Sequence, residues 1–370
     1  MNAPPLRLVA LEITRTCPLA CRHCRGDSKD RAYEDELSFG EITAILENVE
    51  SFARPILIIT GGEPLTRPDV FEIAARSSAL GFLTTLATCG HLLSDGSVTA
   101  LLGAGVSRIS VSLDGAIAET HDRFRGVPGA FDAALRGIAA ARRHGLPFQV
   151  NSTLTALNAR ELEPLHDLAR SLGAEAFHPF LLVPTGRGRE LARSALTPDE
   201  YERVLANIAR MAACSPLEIK PTCSPNYLRI AVAAGRESGR PPFRPEDPDS
   251  LSLSKVRGEP RGMTGGCLGG RGFVFISHRG KVQMCGFLEC EAGDLRREGY
   301  DLKRIWETSP LFLDVRDTAR YRGKCGRCEY VRSCGGCRAR AYAAFGDHLG
   351  EEPNCTYQPG RRRDGDPVPT

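Results

Sequence analysis

The chain has 370 residues, 42% of them hydrophobic and 25% charged, with a formal net charge of +3. That balance describes a globular chain long enough for one large domain and a smaller one, and it gives no electrostatic reason to expect a nucleic-acid partner. No apolar run reaches the roughly 18 residues of a transmembrane helix, and Met1-Asn2-Ala3-Pro4-Pro5 has neither the charged nor the apolar region of a secretory signal. A cytoplasmic location without a membrane partner is therefore expected. In that reducing compartment fourteen cysteines point to metal sites rather than to a disulfide framework.

In chain order, Leu6 to Ile13 alternates like a strand and leads directly into Cys17-Pro-Leu-Ala-Cys21-Arg-His-Cys24. Further strands are predicted at 55–60, 83–88, 108–113, 148–154 and 176–183, and helices near 38–49, 68–80, 95–104, 129–144, 158–172 and 197–213. The last helix has clear start chemistry, with Thr197 as N-cap, Pro198 at the first position and Glu200 at the third. Six β/α units in series imply an α/β fold built as a parallel barrel or part of one, with function at the carboxyl ends of the strands. From 214 to 266 the periodicity fails, and Pro216, Pro221, Pro225, Pro241, Pro242, Pro245 and Pro248, among charged and Ser-rich residues, read as a connecting segment, partly mobile. Residues 272–277 and 281–284 read as a β-hairpin around Arg279-Gly280, followed by a Cys- and Gly-rich remainder and a tail expected to be disordered. The expected division is a barrel over 1–213, a connector over 214–266, a Cys-rich unit over 267–357 and a tail over 358–370.

The C-x3-C-x2-C stretch carries the first chemical signal. Thiolates are soft ligands, and short-spaced cysteines of this kind hold iron–sulfur clusters. Three thiolates on a four-iron cube leave one iron open, which is what catalysis needs. A zinc knuckle is the alternative, but it asks for a fourth Cys or His nearby, and His23 is wedged between two of the would-be ligands. Gly61-Gly62-Glu63-Pro64 closes the second strand. Paired glycines let backbone approach a ligand, and Glu63 adds an acceptor beside them.

The two motifs, one β/α unit apart, resemble the radical S-adenosylmethionine (SAM) enzymes, and the resemblance spans most of residues 6–213. It implies a partial (β/α)6 TIM-like barrel, with Cys17, Cys21 and Cys24 on a [4Fe–4S] cluster whose open iron chelates SAM. It further implies Gly61, Gly62 and Glu63 at the methionine ammonium, and Ser112 and Asp114 at the ribose or methionine portion. Asn151 and the pair Val183 and Pro184 fall at the ribose and adenine. Thr88-Cys89-Gly90 departs from a common Thr-Asn-Gly, and Cys89 reads as a small buried residue.

A second set, Cys325-x2-Cys328-x5-Cys334-x2-Cys337 with Cys355, preceded by Cys267 and Gly280-x4-Cys285, resembles the SPASM extension of radical SAM enzymes. A zinc ribbon is the alternative, although seven thiols exceed one zinc site. The resemblance implies one auxiliary [4Fe–4S] cluster on Cys325, Cys328, Cys334 and Cys355. A second would lie on Cys267, Cys285 and Cys337 with an open iron, Cys290 being a possible fourth ligand. The two-residue gap between Cys334 and Cys337, where three is commoner, leaves cluster number and ligand partition open, and Cys214 has no evident metal partner.

Finer phrasing, in 8–15, 180–188, 222–225, 266–270 and 334–342, resembles the heme b synthases of the siroheme-dependent pathway over nearly the full length. That implies oxidative decarboxylation of two propionates of iron-coproporphyrin III to vinyl groups through a 5′-deoxyadenosyl radical, with a low-potential donor such as ferredoxin or flavodoxin. A porphyrin with four carboxylates needs a broad apolar slot rimmed by cations. Arg123 and Arg125 after the fourth strand, and Arg187, Arg189 and Arg193 after the sixth, are candidates for the rim, with solvated surface arginines as the plain alternative. His178, His278 and Cys223 are weaker candidates for axial iron ligands than for ordinary packed residues. The competing readings are action on another iron-tetrapyrrole, modification of a ribosomal peptide, and a non-catalytic metal or heme carrier.

Overall fold

The computed structural model describes residues 3–237 and 266–360. Six parallel strands follow one another across a sheet: β1 (Leu8–Thr14), β2 (Ile56–Gly61), β3 (Leu83–Thr88), β4 (Arg108–Ser112), β5 (Phe148–Leu154) and β6 (Ala176–Leu181). Helices α1 (Phe39–Phe52), α2 (Val70–Ala79) and α3 (Asp95–Gly103) make the first three crossings. The fourth crossing holds two, α4 (Ala118–Arg125) and α5 (Ala130–Arg143), and α6 (Leu162–Leu172) makes the fifth. The sequence Ala-Glu-Thr-His-Asp-Arg-Phe-Arg of α4 has no apolar period, which is why periodicity alone passed over it. After β6, α7 (Pro198–Ala212) begins with the expected box, the Thr197 hydroxyl accepting from Glu200 N–H and the Glu200 carboxylate from Thr197 N–H.

The sheet extends beyond these six strands at both ends. On the β6 side the short β7 (Glu218–Ile219) pairs in parallel, and α8 (Tyr227–Glu237) follows, so the segment read as a connector holds regular structure over part of its length. Its prolines at 241, 242, 245 and 248 lie outside the described residues, as does the tail from 361. On the β1 side, β8 (Phe273–Ile276) pairs in parallel with β1, and β9 (Lys281–Cys285) and β10 (Leu288–Asp294) add antiparallel. The expected hairpin thus forms as an extension of the barrel sheet. Short helices α9 (Leu302–Thr308), α10 (Pro310–Arg316), α11 (Gly323–Gly326) and α12 (Arg338–Phe345) complete the C-terminal part.

Burial alternates along β2 to β6. Leu57, Ile59, Leu86, Ile109, Val111, Val150 and Phe177 are buried under the helices. Between them Thr85, Ser110, Ser112, Gln149, Asn151 and His178 are half-buried on the opposite, inner face. A closed (β/α)8 barrel fills its interior with branched apolar side chains. Here the inner face is polar and keeps accessible surface, so it is suited to a ligand.

One buried carboxylate joins the two ends of the chain. Glu12 on β1 is fully buried and accepts from Arg25 Nη2 at 2.9 Å and Arg15 Nε at 3.3 Å. His278, in the β8–β9 turn, meets its Oε2 with the backbone N–H at 3.2 Å and with Nδ1 at 2.9 Å. Burial pushes this carboxyl up, but Arg25, His278 and Arg15 together hold it well below the usual carboxylate range. A depressed folded-state pKa stabilises above the unfolded value and is lost as pH falls through the folded one. Glu12→Gln is therefore expected to cost about 3 kcal/mol at neutral pH, since it strands a partly buried guanidinium. The difference from wild type should shrink as the pH falls below about 4.5, the ordinary carboxylate range. Anaerobic denaturant melts across pH would read it.

Candidate active site

Cys17, Cys21 and Cys24 sit in the loop that leaves β1. With Leu19, Cys89, Ala130 and Val127 they form one small apolar cluster separate from the main core. The loop is pinned from three sides. Cys17 N–H donates to Lys29 O at 3.1 Å, and Arg22 N–H donates to Phe124 O at 3.0 Å. Arg187 reaches across from the segment after β6, its Nε donating to Cys21 O and its backbone N–H to Cys24 O. Gly186 makes that approach possible: its φ is +54°, and a Cβ there would come within 2.1 Å of Arg25 O.

The Gly61-Gly62-Glu63 turn packs against the same loop. Gly62 N–H donates to Thr14 O and Glu63 N–H to Thr16 O, both at 2.8 Å, and a Cβ on Gly62 would come within 2.5 Å of Thr16 O. The close approach that requires glycine is therefore to the cysteine loop's own backbone. Glu63 is fully buried, and its carboxylate accepts from Thr88 Oγ1 at 2.8 Å and Cys89 N–H at 2.7 Å. Burial pushes the Glu63 carboxyl up, while these donors and the Cys89 thiol pull it back. Cys89 thus belongs to the support of Glu63.

Around the thiols the electrostatics are built in layers. Arg125 is buried, donates from Nη1 to Cys21 Sγ at 3.6 Å, and forms an ion pair from Nη2 to Asp114 Oδ2 at 2.6 Å. Asp114 also accepts from Thr153 N–H at 2.6 Å and faces His23 Nε2 at 3.4 Å. Burial pushes the Asp114 carboxyl up, but Arg125, His23 and His121 outweigh it and lower it. Burial raises the Cys17 thiol to about 12 and lowers His23 to about 4, so His23 is neutral at physiological pH. Backbone N–H of Ser28 donates to Cys24 Sγ at 3.3 Å.

Beyond this layer, strand register sets Ser112, Asn151 and His178 side by side on three consecutive strands. Gln149 Nε2 lies 2.9 Å from Asn151 Oδ1 and 3.1 Å from His178 Nδ1. Four buried polar atoms here have no hydrogen-bond partner: His23 Nδ1, Arg125 Nε, His178 Nε2 and Arg187 Nη2. Such a concentration is what a cofactor-binding face leaves when only the protein's atoms are counted.

Of the five arginines considered for a carboxylate rim, Arg125 and Arg187 are turned inward onto the cysteine loop, and Arg193 is exposed. Arg123 is exposed, and Arg189 is exposed and paired with Glu289 at 2.8 Å. Val183 is buried, whereas Pro184 and Thr185 join Arg189, Phe287, Glu289 and Tyr342 around a cleft of about 720 Å³. His278 is the satisfied partner of Glu12 and is not placed to ligate a substrate iron.

The C-terminal thiols separate into two groups. Cys325, Cys328, Cys334 and Cys355 line one cleft of about 420 Å³. N–H of Glu352 donates to Cys325 Sγ at 3.3 Å, N–H of Gly336 to Cys334 Sγ at 3.4 Å, and the fully buried Arg338 points Nη2 at Cys325 Sγ at 3.8 Å. Cys267, Cys285 and Cys337 interact electrostatically with one another, and Cys223 with all three. Cys290, considered as a ligand there, instead meets the Tyr342 hydroxyl, and Cys214 is exposed. Among the described residues no three His, Cys, Asp or Glu side chains are arranged to hold a single metal ion. Thiolates of a multi-iron cluster each bond a different iron and need no such convergence, so all-sulfur groups ringed by N–H donors fit clusters.

Comparison with known proteins agrees with this chemistry. Residues 11–172 match the Radical SAM superfamily. The chain is 46% identical to the AdoMet-dependent heme synthase of Methanosarcina barkeri (strain Fusaro / DSM 804), covering 98% of this chain and 99% of that one. It belongs to the family of AdoMet-dependent heme synthases within the radical SAM superfamily. A second relative of that name, from Oleidesulfovibrio alaskensis, is 42% identical over 98% of this chain and 90% of its own length. In fold the chain is similar to Streptococcus suis SuiB bound to S-adenosylmethionine, with a TM-score of 0.72 at 17% identity, covering 96% of this chain and 78% of that one. Membership implies a [4Fe–4S] cluster and AdoMet as working cofactors.

The buried Arg125 was not foreseen in its role; only its position after a strand's carboxyl end hinted at the site. Arg125→Ala removes a positive charge and a donor from Cys21, so the N-terminal cluster's midpoint potential should move to more negative values. It should also cost about 3–5 kcal/mol by leaving Asp114 buried without its cation. Arg125→Lys should recover much of both. EPR-monitored redox titration and anaerobic melts of the reconstituted variants would measure the two effects.

Proposed function

We propose that this chain converts iron-coproporphyrin III to heme b by oxidative decarboxylation of two propionates to vinyl groups. Near full-length membership in the heme synthase family carries the reading, and the cleft lined by Pro184, Thr185, Arg189, Phe287 and Tyr342 supports it. In this reading Cys17, Cys21 and Cys24 hold the SAM-binding cluster. The turn at Gly61, Gly62 and Glu63 offers carbonyls to the AdoMet ammonium, and Ser112, Asp114 and Asn151 serve its polar portion. Val183 and Pro184 pack on the adenine.

Bound there, AdoMet and the reduced cluster supply the 5′-deoxyadenosyl radical chemistry of the superfamily. Each propionate gives up one hydrogen atom from its β-carbon, one carbon dioxide and one electron, and becomes a vinyl group. No protein acid or base is required, and the chain's task is to orient the macrocycle and exclude water. Arg123 and Arg189 supply cations for the carboxylates that are retained, and Phe287, Ala339 and Tyr342 provide surface for the ring. The thiol groups of the C-terminal part hold auxiliary clusters able to take the electron, and a ferredoxin- or flavodoxin-type donor supplies the reducing equivalent. The division at 213 and 267 is read as barrel, connector and auxiliary unit sharing one sheet.

Anaerobic turnover of reconstituted protein with AdoMet, reductant and iron-coproporphyrin III, followed by mass analysis, tests the reading. Protoheme and 5′-deoxyadenosine are expected; a different iron-tetrapyrrole being consumed in its place would overturn the substrate assignment. Cys21→Ala should abolish 5′-deoxyadenosine while leaving the iron of the C-terminal cysteines in place. Arg189→Glu should raise KM for the porphyrin roughly tenfold, the weight of about 1.4 kcal/mol, with little change in uncoupled AdoMet cleavage.

A further inference from the structure

Cys223 lies beside the three thiols of the second C-terminal group, although it comes from the other half of the molecule. Its electrostatic neighbours are Cys337, Cys285 and Cys267, in that order, with Arg340 among them. Cys223, Cys267 and Cys285 keep accessible surface, while Cys337 is buried.

The backbone at Cys223 is held in an unusual conformation. Thr222 continues the pairing of β7 along β6, its N–H donating to Pro179 O at 2.8 Å and its carbonyl accepting from Leu181 N–H at 3.1 Å. The chain then turns at Cys223 with φ of +58°, a left-handed conformation that non-glycine residues rarely adopt. Arg340 Nη2 donates to the Cys223 carbonyl at 2.8 Å, and Tyr201 OH donates to it at 3.3 Å. Arg340 is itself buried and paired with Glu352, whose Oε2 accepts from Cys337 N–H at 2.8 Å. The clamp on Cys223 and the clamp on Cys337 are thus the same pair of residues. Strain of this kind persists where the surroundings over-determine it, and here they direct one thiol to three others.

From this geometry we infer that Cys223 is the fourth ligand of an auxiliary [4Fe–4S] cluster completed by Cys267, Cys285 and Cys337. The inference rests on the reading that the latter three hold a cluster at all. Four protein thiolates leave no iron open there, so the site takes or passes electrons and does not bind substrate directly. It also joins the barrel strands to the C-terminal part through iron.

The test uses full-length protein carrying Cys17→Ala, Cys21→Ala and Cys24→Ala, so that only the C-terminal clusters report. Iron and sulfide content, EPR of the reduced and mildly oxidised states, and a redox titration are compared for this background and for added Cys223→Ala, Cys223→Ser and Cys337→Ala. With Cys223→Ala, loss of about one iron per chain and a three-iron signal on mild oxidation are expected, as for a cluster that has lost one thiolate. With Cys223→Ser, a lower midpoint potential of the same signal is expected. The unchanged signal of the Cys325 group in each sample shows that the variant has folded. If Cys337→Ala alters the second signal and neither Cys223 variant does, the inference fails alone. If the background has no second C-terminal cluster, the reading beneath it fails as well.

Discussion

The architecture depends on a carboxylate in a place where a lone charge would not survive. Glu12 sits on the strand that has the cysteine loop at its carboxyl end and the C-terminal strands along its free edge. Burying an ion without partners costs several kcal/mol, so the pairing has to be complete or absent. Arg25 brings the cysteine loop, His278 brings the β8–β9 turn, and Arg25 in turn lies 4.4 Å over the Phe275 ring and donates to Gly286 O. Loop and hairpin are therefore fixed relative to each other through one side chain. A dispersed hydrophobic contact between the same elements would allow sliding; a saturated buried charge does not.

The same device recurs at each thiol group. Arg125 with Asp114 serves Cys21, Arg338 serves Cys325, and Arg340 with Glu352 serves Cys337 and Cys223. In the free protein burial raises the Cys21, Cys223 and Cys337 thiols, Cys337 to about 11, so that they are protonated at neutral pH. Iron binding must release those protons. A buried guanidinium beside each group would lower the cost of the resulting negative charge and preset the electrostatic environment of a cluster held there. Guanidinium suits this task better than an ammonium, since it is more weakly hydrated and stays charged when buried.

Much of this was legible locally and little of it non-locally. The C-x3-C-x2-C loop, the GGEP turn, the Thr197 box and the strand series are short-range patterns, and their spacing follows from helix and strand periods. The resemblance to the SPASM extension grouped Cys325, Cys328, Cys334 and Cys355, and in the structure the four line one cleft. Cys223 has no such signature, because its neighbours lie beyond a long intervening segment and its orientation comes from a left-handed turn. Arg125, Arg338 and Arg340 were hidden for another reason. In an Arg-rich chain an arginine reads as surface by default, and only tertiary packing shows which few are fully buried. The paired glycines were legible as a close approach, but what they approach is the backbone of the cysteine loop.

The position of the large cleft follows from these restraints. Its lining includes Pro184 and Thr185, immediately before the Gly186-Arg187 clamp on the cysteine loop, and Ala339 and Tyr342, which follow Cys337 and Arg338. Arg340, between those last residues, binds the carbonyls of Leu181 and Leu182 at the end of β6 as well as that of Cys223. The wall next to the cysteine loop and the wall next to the second thiol group are thus held by a single guanidinium. In the function proposed above, a substrate in the cleft would meet hydrogen-atom chemistry near the cysteine loop and an electron acceptor near the second thiol group, both tied to Arg340. Reactions that lose a hydrogen atom and an electron in succession benefit from that rigidity, because a carbon radical that waits for its acceptor has time to react elsewhere.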